Sequence, residues 1–479
     1  MRRFFLLGLL TSLLTGCGSS NPPAATNQDP PKSSNATKPP LTAQQSSPSP
    51  DQAATANSTS TGAAKKPSEE ALELSKQLEQ IVAAANAAQS EFDFAKATQL
   101  WQQALDLLTK LYGSKSWQTL NAKLALDNSR VQSGFNQAQL ARLKELFEDQ
   151  TQIASLLKQA KTDAALELAQ RSQKTTSELF GADSWMMAKQ WVQMARLQQL
   201  NGKFTESIAA YREAILLHDR YLVELHPDKE TLHAYLGEAF MSVGQYRPAV
   251  DNLSKATLIA QKLWGETSLQ YATRGNDLGV AYQRAGENET ALSVLRAAET
   301  IRRRELGMEH PLVAHSLLNL GTVYMGLNRY ELAVQSFEQA IPILQNKFGI
   351  ENKMVTEAKL RYSAALVLAD QSAAAEQLLE QLCTELANRP GLMADRAVAQ
   401  YRLAILQAKR GNYKAAEPNL EAAIAAQSQI LGPTHPTTET SKQALVKVYE
   451  QTGRASLAES LQGQIRQVNY VEQETQFKR

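Results

Sequence analysis

Seven residues divide the second half of this chain into equal steps. Gly202, Gly244, Gly286, Asn328, Asp370, Gly411 and Gly453 follow one another at intervals of 42 residues, with a single interval of 41. Five residues beyond each marker stand Ser207, Ala249, Ala291, Ala333, Ala375, Ala416 and Ala458. Twelve beyond stand Ala214, Ala256, Ala298, Ala340, Leu382, Ala423 and Ile465. Before the markers come Leu236-Gly237, Leu278-Gly279, Leu320-Gly321 and Leu403-Ala404, and then an aromatic at Phe240, Tyr282, Tyr324 and Tyr449. A fixed period of this size specifies an array of one supersecondary unit, each copy burying its apolar face against the next.

The residue types define the unit. Small side chains let two antiparallel helices, and then the neighbouring pair, approach closely. Leu253, Leu295, Phe337 and Leu420 fill the remaining space. The markers are residues that tolerate a positive φ, as a tight turn between two helices requires. Gly265, Gly307, Gly349 and Gly432 close the second helix and predict left-handed C-terminal caps. Three residues later stand Ser268, His310, Asn352 and His435, and Ser116, Ser184 and His226 hold the same place in their own repeats. Ser and Asn are good N-caps, and each of the three histidines is followed by Pro, which is favoured at the first helical position. His310 therefore reads as a helix cap rather than a metal ligand, since it recurs once per repeat instead of clustering. Few aromatics and a modest glycine content suit packed helices.

The Leu-Gly pair, the aromatic, the alanines and their spacings resemble the tetratricopeptide repeat. The 42-residue period, the Gly-x-x-His-Pro junction and Asn276 and Asn319 near the Leu-Gly pairs resemble its kinesin-light-chain-type variant. The match runs from about Trp185 to Ala458. Upstream, Phe92, Phe94, Ala97, Trp101, Ala104, Gly113 and Trp117 keep the register. Gly134 falls in step, but the next marker, Ala160, comes only 26 residues later, which predicts one short hairpin around Asn136 to Ala160. The resemblance implies an all-α fold, a right-handed superhelical solenoid of antiparallel helix hairpins. About nine to ten such hairpins are expected over residues 68–467, with 468–479 a C-terminal tail.

The start of the chain is a different material. Arg2 and Arg3 precede an apolar run from Phe4 to Leu14. That run is shorter than the roughly 20 residues a membrane-spanning helix needs, so 1–16 reads as a signal peptide. Leu14-Thr15-Gly16-Cys17 resembles a bacterial lipobox. The resemblance implies cleavage before Cys17, which then carries diacylglycerol and a further acyl chain such as palmitate, and several chains anchor firmly where one does not. Gly18 in place of the Asp that favours inner-membrane retention points to the outer membrane of a Gram-negative envelope. Residues 17–67 are rich in Pro, Ser, Thr and Ala, with Leu41 the only large aliphatic residue. Such a segment cannot offset its ordering entropy and reads as a disordered tether, about 40 Å in r.m.s. span.

Charge and motifs exclude more than they offer. Fifty basic residues face 48 acidic ones, and loss of Arg2 and Arg3 with the signal leaves a neutral chain. That balance is unlike a nucleic-acid binder. No phosphate loop or His-Glu-x-x-His motif is present. Glu230 and His233 share a helix face and could form half of a carboxylate–histidine metal site, whose other half is missing. Cys383 is the only thiol besides Cys17 and reads as packing. Trp101, Trp117, Trp185 and Trp191 read as core residues. The reading is a non-enzyme with no cofactor and no metal.

In tetratricopeptide proteins the partner-binding groove is lined by first-helix residues. Carried across repeat by repeat, the resemblance implies Lys189, Gln193, Arg196, Tyr235, Glu238, Asn276, Asp277, Asn319, Thr322, Arg361 and Arg402. Their mixed polarity suits an extended peptide held through its backbone. The expected function is a membrane-anchored interaction scaffold binding a protein or peptide partner. The alternatives are a structural subunit of a cell-envelope assembly or secretion complex, and an enzyme or metal-binding protein, for which no constellation is present.

Overall fold

The computed structural model describes residues 69–465, so the signal segment 1–16, Cys17, the tether 17–67 and the tail 468–479 lie outside the described residues. The chain divides into two compact units, one through Ala285 and one from Gly286. Among the described residues the secondary structure is helical, without strands.

The first unit contains α1 (Glu69–Ser90), α2 (Phe94–Tyr112), α3 (Trp117–Ser133), α4 (Gln137–Lys158), α5 (Thr162–Phe180), α6 (Trp185–Leu200), α7 (Phe204–Tyr221), α8 (Pro227–Ser242), α9 (Tyr246–Trp264) and α10 (Leu269–Arg284). The second contains α11 (Asn288–Leu306), α12 (Pro311–Gly326), α13 (Tyr330–Phe348), α14 (Lys353–Leu368), α15 (Ser372–Leu386), α16 (Met393–Lys409), α17 (Tyr413–Leu431) and α18 (Pro436–Gln451), and residues 455–465 are also helical. A 3₁₀ turn, Pro390–Leu392, precedes α16. Within each unit, helices pair as hairpins, α6 with α7, α8 with α9, α12 with α13 and α16 with α17, and each hairpin packs on the next.

The periodic small residues are where the helices touch. Ser207, Ala249, Ala291, Ala333, Ala375 and Ala416 are fully buried. The Leu-Gly pairs are explained by contact: a Cβ on Gly237 would sit 2.6 Å from Leu253 Cγ, and one on Gly321 would sit 2.8 Å from Phe337 Cζ. No real Cβ tolerates such distances, so glycine there is a packing requirement.

All seven markers adopt positive φ, Asn328 at 57° and Asp370 at 60° among the glycines. The glycines that end the second helices differ from expectation in one angle. Gly265, Gly307, Gly349 and Gly432 have positive φ, but their ψ values of 157°, 162°, 157° and 155° lie far from the left-handed helical basin. This region is open essentially to glycine alone. It sends the chain outward in an extended direction, so that three residues later it can re-enter a helix.

Those helix starts are capped as predicted. Ser116, Ser184 and Ser268 accept from the amides of Thr119, Met187 and Tyr271. His226, His310 and His435 accept through Nδ1 from the amides of Asp228, Leu312 and Thr437, at 3.0, 3.1 and 3.2 Å. The histidines are punctuation.

The short hairpin expected around Asn136 to Ala160 is not there. A single 22-residue helix, α4, occupies the interval. Gly134 sits at φ −89°, ψ 0°, a right-handed conformation that does not reverse the chain, whereas Ala160 at φ 57° does. Consequently α4 forms its hairpin with α5, and α3 stands without a second helix of its own. α1, α2 and α3 share a separate apolar cluster of Ala85, Ala97, Trp101, Ala104 and Leu126.

Candidate partner-binding face

The eleven candidates fall on first helices in both units. In the first unit, α6 carries Lys189, Gln193 and Arg196, α8 carries Tyr235 and Glu238, and α10 carries Asn276 and Asp277. Gln193, Tyr235 and Asp277 are one repeat position seen three times, and Arg196 and Glu238 are another seen twice. Side chains on neighbouring first helices meet. Gln193 Nε2 donates to Gln150 Oε1 of α4 at 2.6 Å. Arg196 donates to the Tyr235 hydroxyl at 3.3 Å, with its guanidinium 4.8 Å from that ring's centroid. Tyr235 in turn stacks on Tyr211 of α7, with centroids 6.1 Å apart.

Charge is concentrated between α8 and α10. Arg274 pairs with Glu230 and lies 3.5 Å from Asp277. Burial alone would lower its pKa, and the carboxylates of Glu230, Asp277 and Glu238 reverse that, so the guanidinium is held charged. Glu238 is half-buried, and burial reinforced by the Asp277 carboxylate pushes its carboxyl up to about 7, against the pull of Arg274 and Arg196. Asn276 is buried at 4% exposure and is thus part of the packing more than of the open face. Burial lowers the pKa of the Lys189 ammonium, which lies 5.7 Å from the Trp185 ring centroid.

In the second unit the same repeat positions are held by Asn319 and Thr322 on α12, Arg361 on α14 and Arg402 on α16. Thr322 turns its hydroxyl back to Leu318 O at 3.0 Å. Arg402 donates to Leu360 O and Ser363 Oγ, tying α16 to α14 rather than facing outward. Burial depresses its pKa. Asn319, Thr322 and Arg361 remain half-buried on the first-helix face.

Several interacting residues escaped the sequence reading. Gln150, in register with Asn276, completes the contact to Gln193, and Glu230 and Arg274 pair beside Asp277 from positions outside the candidate set. An arm from the second helix also grips the aromatic of the next first helix. Arg212 lies 5.6 Å from the Phe240 ring, Arg296 donates to the Tyr324 hydroxyl at 2.8 Å, and Glu421 accepts from Tyr449 at 3.4 Å. Each pair is 28 residues apart, a spacing visible in the sequence to anyone looking for it.

The half metal site dissolves into two unrelated contacts. Glu230 faces Arg274, while His233 Nδ1 lies 3.0 Å from Asn252 Oδ1. Cys383 is half-buried, and burial pushes its thiol up to about 11, far from a nucleophile's range.

Tandem hairpins with small residues at every crossing define an all-α repeat protein. The family model for the tetratricopeptide repeat matches residues 269–346 and 395–468, and these segments are tetratricopeptide repeats. Among solved structures, the apo form of the quorum sensor NprR from B. thuringiensis is 13% identical over 79% of this chain and 99% of its own, with a TM-score of 0.53. A signal transduction ATPase with numerous domains and a tetratricopeptide repeat sensor, from Pyrococcus horikoshii, is 15% identical over 78% of this chain and 52% of its own, with a TM-score of 0.51. Kinesin light chain nearly identical TPR-like repeats from Podosopora anserina are 24% identical over 43% of this chain and 98% of their own, with a TM-score of 0.39. No curated protein matches the chain. The first two likenesses establish the fold.

Proposed function

We propose that this chain is a non-enzymatic scaffold, held to the cell envelope by a lipid on Cys17, whose first-helix face binds an extended segment of a protein partner. The tether 17–67 would carry the repeat body 68–467 away from the membrane surface. The observation that carries the reading is the recurrence of Gln193, Tyr235 and Asp277 at one position on three successive first helices. Around them polar groups of both signs are held in fixed contacts. A preformed row of donors and acceptors at repeat spacing favours a ligand that is itself extended and periodic, as a peptide backbone is.

The test is crosslinking in the native host followed by identification of the captured protein. Glu238→Lys in the first unit and Arg361→Glu in the second should each reduce capture at least tenfold with helicity unchanged. Undiminished capture in both would end the groove reading. Cys17→Ser should move the protein from the membrane to the soluble fraction, and continued sedimentation with membranes would count against the lipid.

A further inference from the structure

Each hairpin of the first unit has an edge where its first helix begins and its second helix ends. For three consecutive hairpins these edges lie at Gln137 and Phe180, Trp185 and Tyr221, and Pro227 and Trp264. α3 touches the first and the third. Its C-terminus joins α4 through a three-residue connection, and Phe135 there packs on Phe180, centroids 5.5 Å apart. Its N-terminus reaches the third edge. The Trp117 ring lies 5.9 Å from that of His226 and 6.4 Å from that of Trp264, and Asn121 Oδ1 lies 3.1 Å from His226 Nε2. With 17 residues α3 is about 25 Å long, enough to pass the intervening edge. Trp185 packs on His218, which is 4% exposed, and burial pushes both His218 and Lys189 toward their neutral forms.

Repeat arrays ordinarily contact only their neighbours. Here one helix connects a hairpin with the hairpin two further on. We propose that α3 is a releasable strap, fastened by Trp117 and Asn121 to His226 and Trp264, which holds three consecutive hairpins at one fixed curvature. The strap exists because the second helix that should follow α3 is missing, which leaves α3 free to cross the edge instead of closing its own hairpin. Its fastening is narrow: one half-buried indole and one side-chain hydrogen bond. The row formed by Gln193, Tyr235 and their neighbours lies on the helices whose spacing the strap sets, so release changes the spacing of that row.

Hydrogen–deuterium exchange on the full chain tests this. In Trp117→Ala the amides of 228–233 and 262–268 should exchange roughly tenfold faster, the loss expected for one buried aromatic contact. Asn121→Ala should give a smaller rise at the same amides, and far-ultraviolet circular dichroism should stay unchanged in both. Unchanged exchange in both variants would overturn the strap. So would a uniform rise across α1 to α10 with loss of helicity, because the contact would then be ordinary core. Neither readout depends on a partner, so the strap and the scaffold reading stand or fall separately.

Discussion

His226 and Asn121 are 105 residues apart in the chain and 3.1 Å apart in space. The amide of Asp228 donates to His226 Nδ1 at 3.0 Å, which fixes the imidazole proton on Nε2, where it is donated to Asn121 Oδ1. The ring is fully buried and neutral, and burial, aided by the Lys229 charge, pushes its pKa down to about 3.

Acid should therefore remove what His226 contributes to the stability of the first unit. The folded state disfavours protonation that the unfolded chain accepts near pH 6.5, so stability is complete above that value and falls as pH drops toward 3. Between pH 7 and pH 5 this one ring accounts for a loss of about 2 kcal/mol, which the raised Glu238 carboxyl of the same unit opposes. Urea denaturation at the two pH values measures it. His226→Asn keeps a cap but cannot titrate, so between these pH values the unchanged protein should lose about 2 kcal/mol more stability than the variant does.

The fit of Phe337 against α12 gives a sharper test of the repeat. Phe337 is fully buried and its ring occupies the space a Cβ on Gly321 would need. Gly321→Ala should cost about 1–3 kcal/mol by overpacking, despite the better helix propensity of alanine. The double variant Gly321→Ala, Phe337→Leu should recover part of that loss, and a thermal melt would show whether the two changes couple. Additive losses would mean that the Phe337 ring is not what the glycine accommodates.

How much of this was legible in the sequence depends on range. Contacts within a hairpin or between neighbours repeat every 42 residues, so Ala333, Gly321 and the turn at Asn328 were visible as period. The caps at His310 and His435 were visible for the same reason. The docking of Trp117 on Trp264 occurs once, between repeats that are not neighbours, and leaves no periodic trace. The single helix α4 was hidden because a missing helix and a shortened hairpin produce the same 26-residue interval. Arg402 was assigned to the open face from its repeat position, but a long guanidinium side chain can turn onto the neighbouring backbone, and here it reaches Leu360 O.

The two kinds of positive-φ residue should respond oppositely to substitution. Gly307, at φ 83° and ψ 162°, occupies a region closed to side chains, so Gly307→Ala should cost about 1–3 kcal/mol. Ala160, at φ 57°, already bears a left-handed strain of about 1–2 kcal/mol. Ala160→Gly should relieve that strain while adding unfolded-state entropy, leaving stability unchanged or raised by up to about 1 kcal/mol. Chemical denaturation of the two variants side by side decides it, and a harmless Gly307→Ala would mean the junction can be rebuilt without its extended glycine.

Glu238 links the candidate face to pH in the opposite sense from His226. Its carboxyl is raised to about 7 by burial first and by Asp277 second, so at neutral pH it is near half protonation. Because a raised carboxyl favours the protonated folded state, its contribution weakens as pH climbs from about 4.5 through 7. Asp277→Asn removes the repelling charge and should bring the Glu238 pKa down, which a carboxyl ¹³C chemical-shift titration can follow. A cationic group brought by a partner would act in the same direction and release a proton on binding. Calorimetry of the captured complex in two buffers of different ionisation enthalpy should detect that proton near pH 7 and lose it in Glu238→Gln. If Glu238 titrates at the same pH with and without Asp277, the two carboxyls are not coupled, and the charge arrangement between α8 and α10 contributes nothing to selecting a partner.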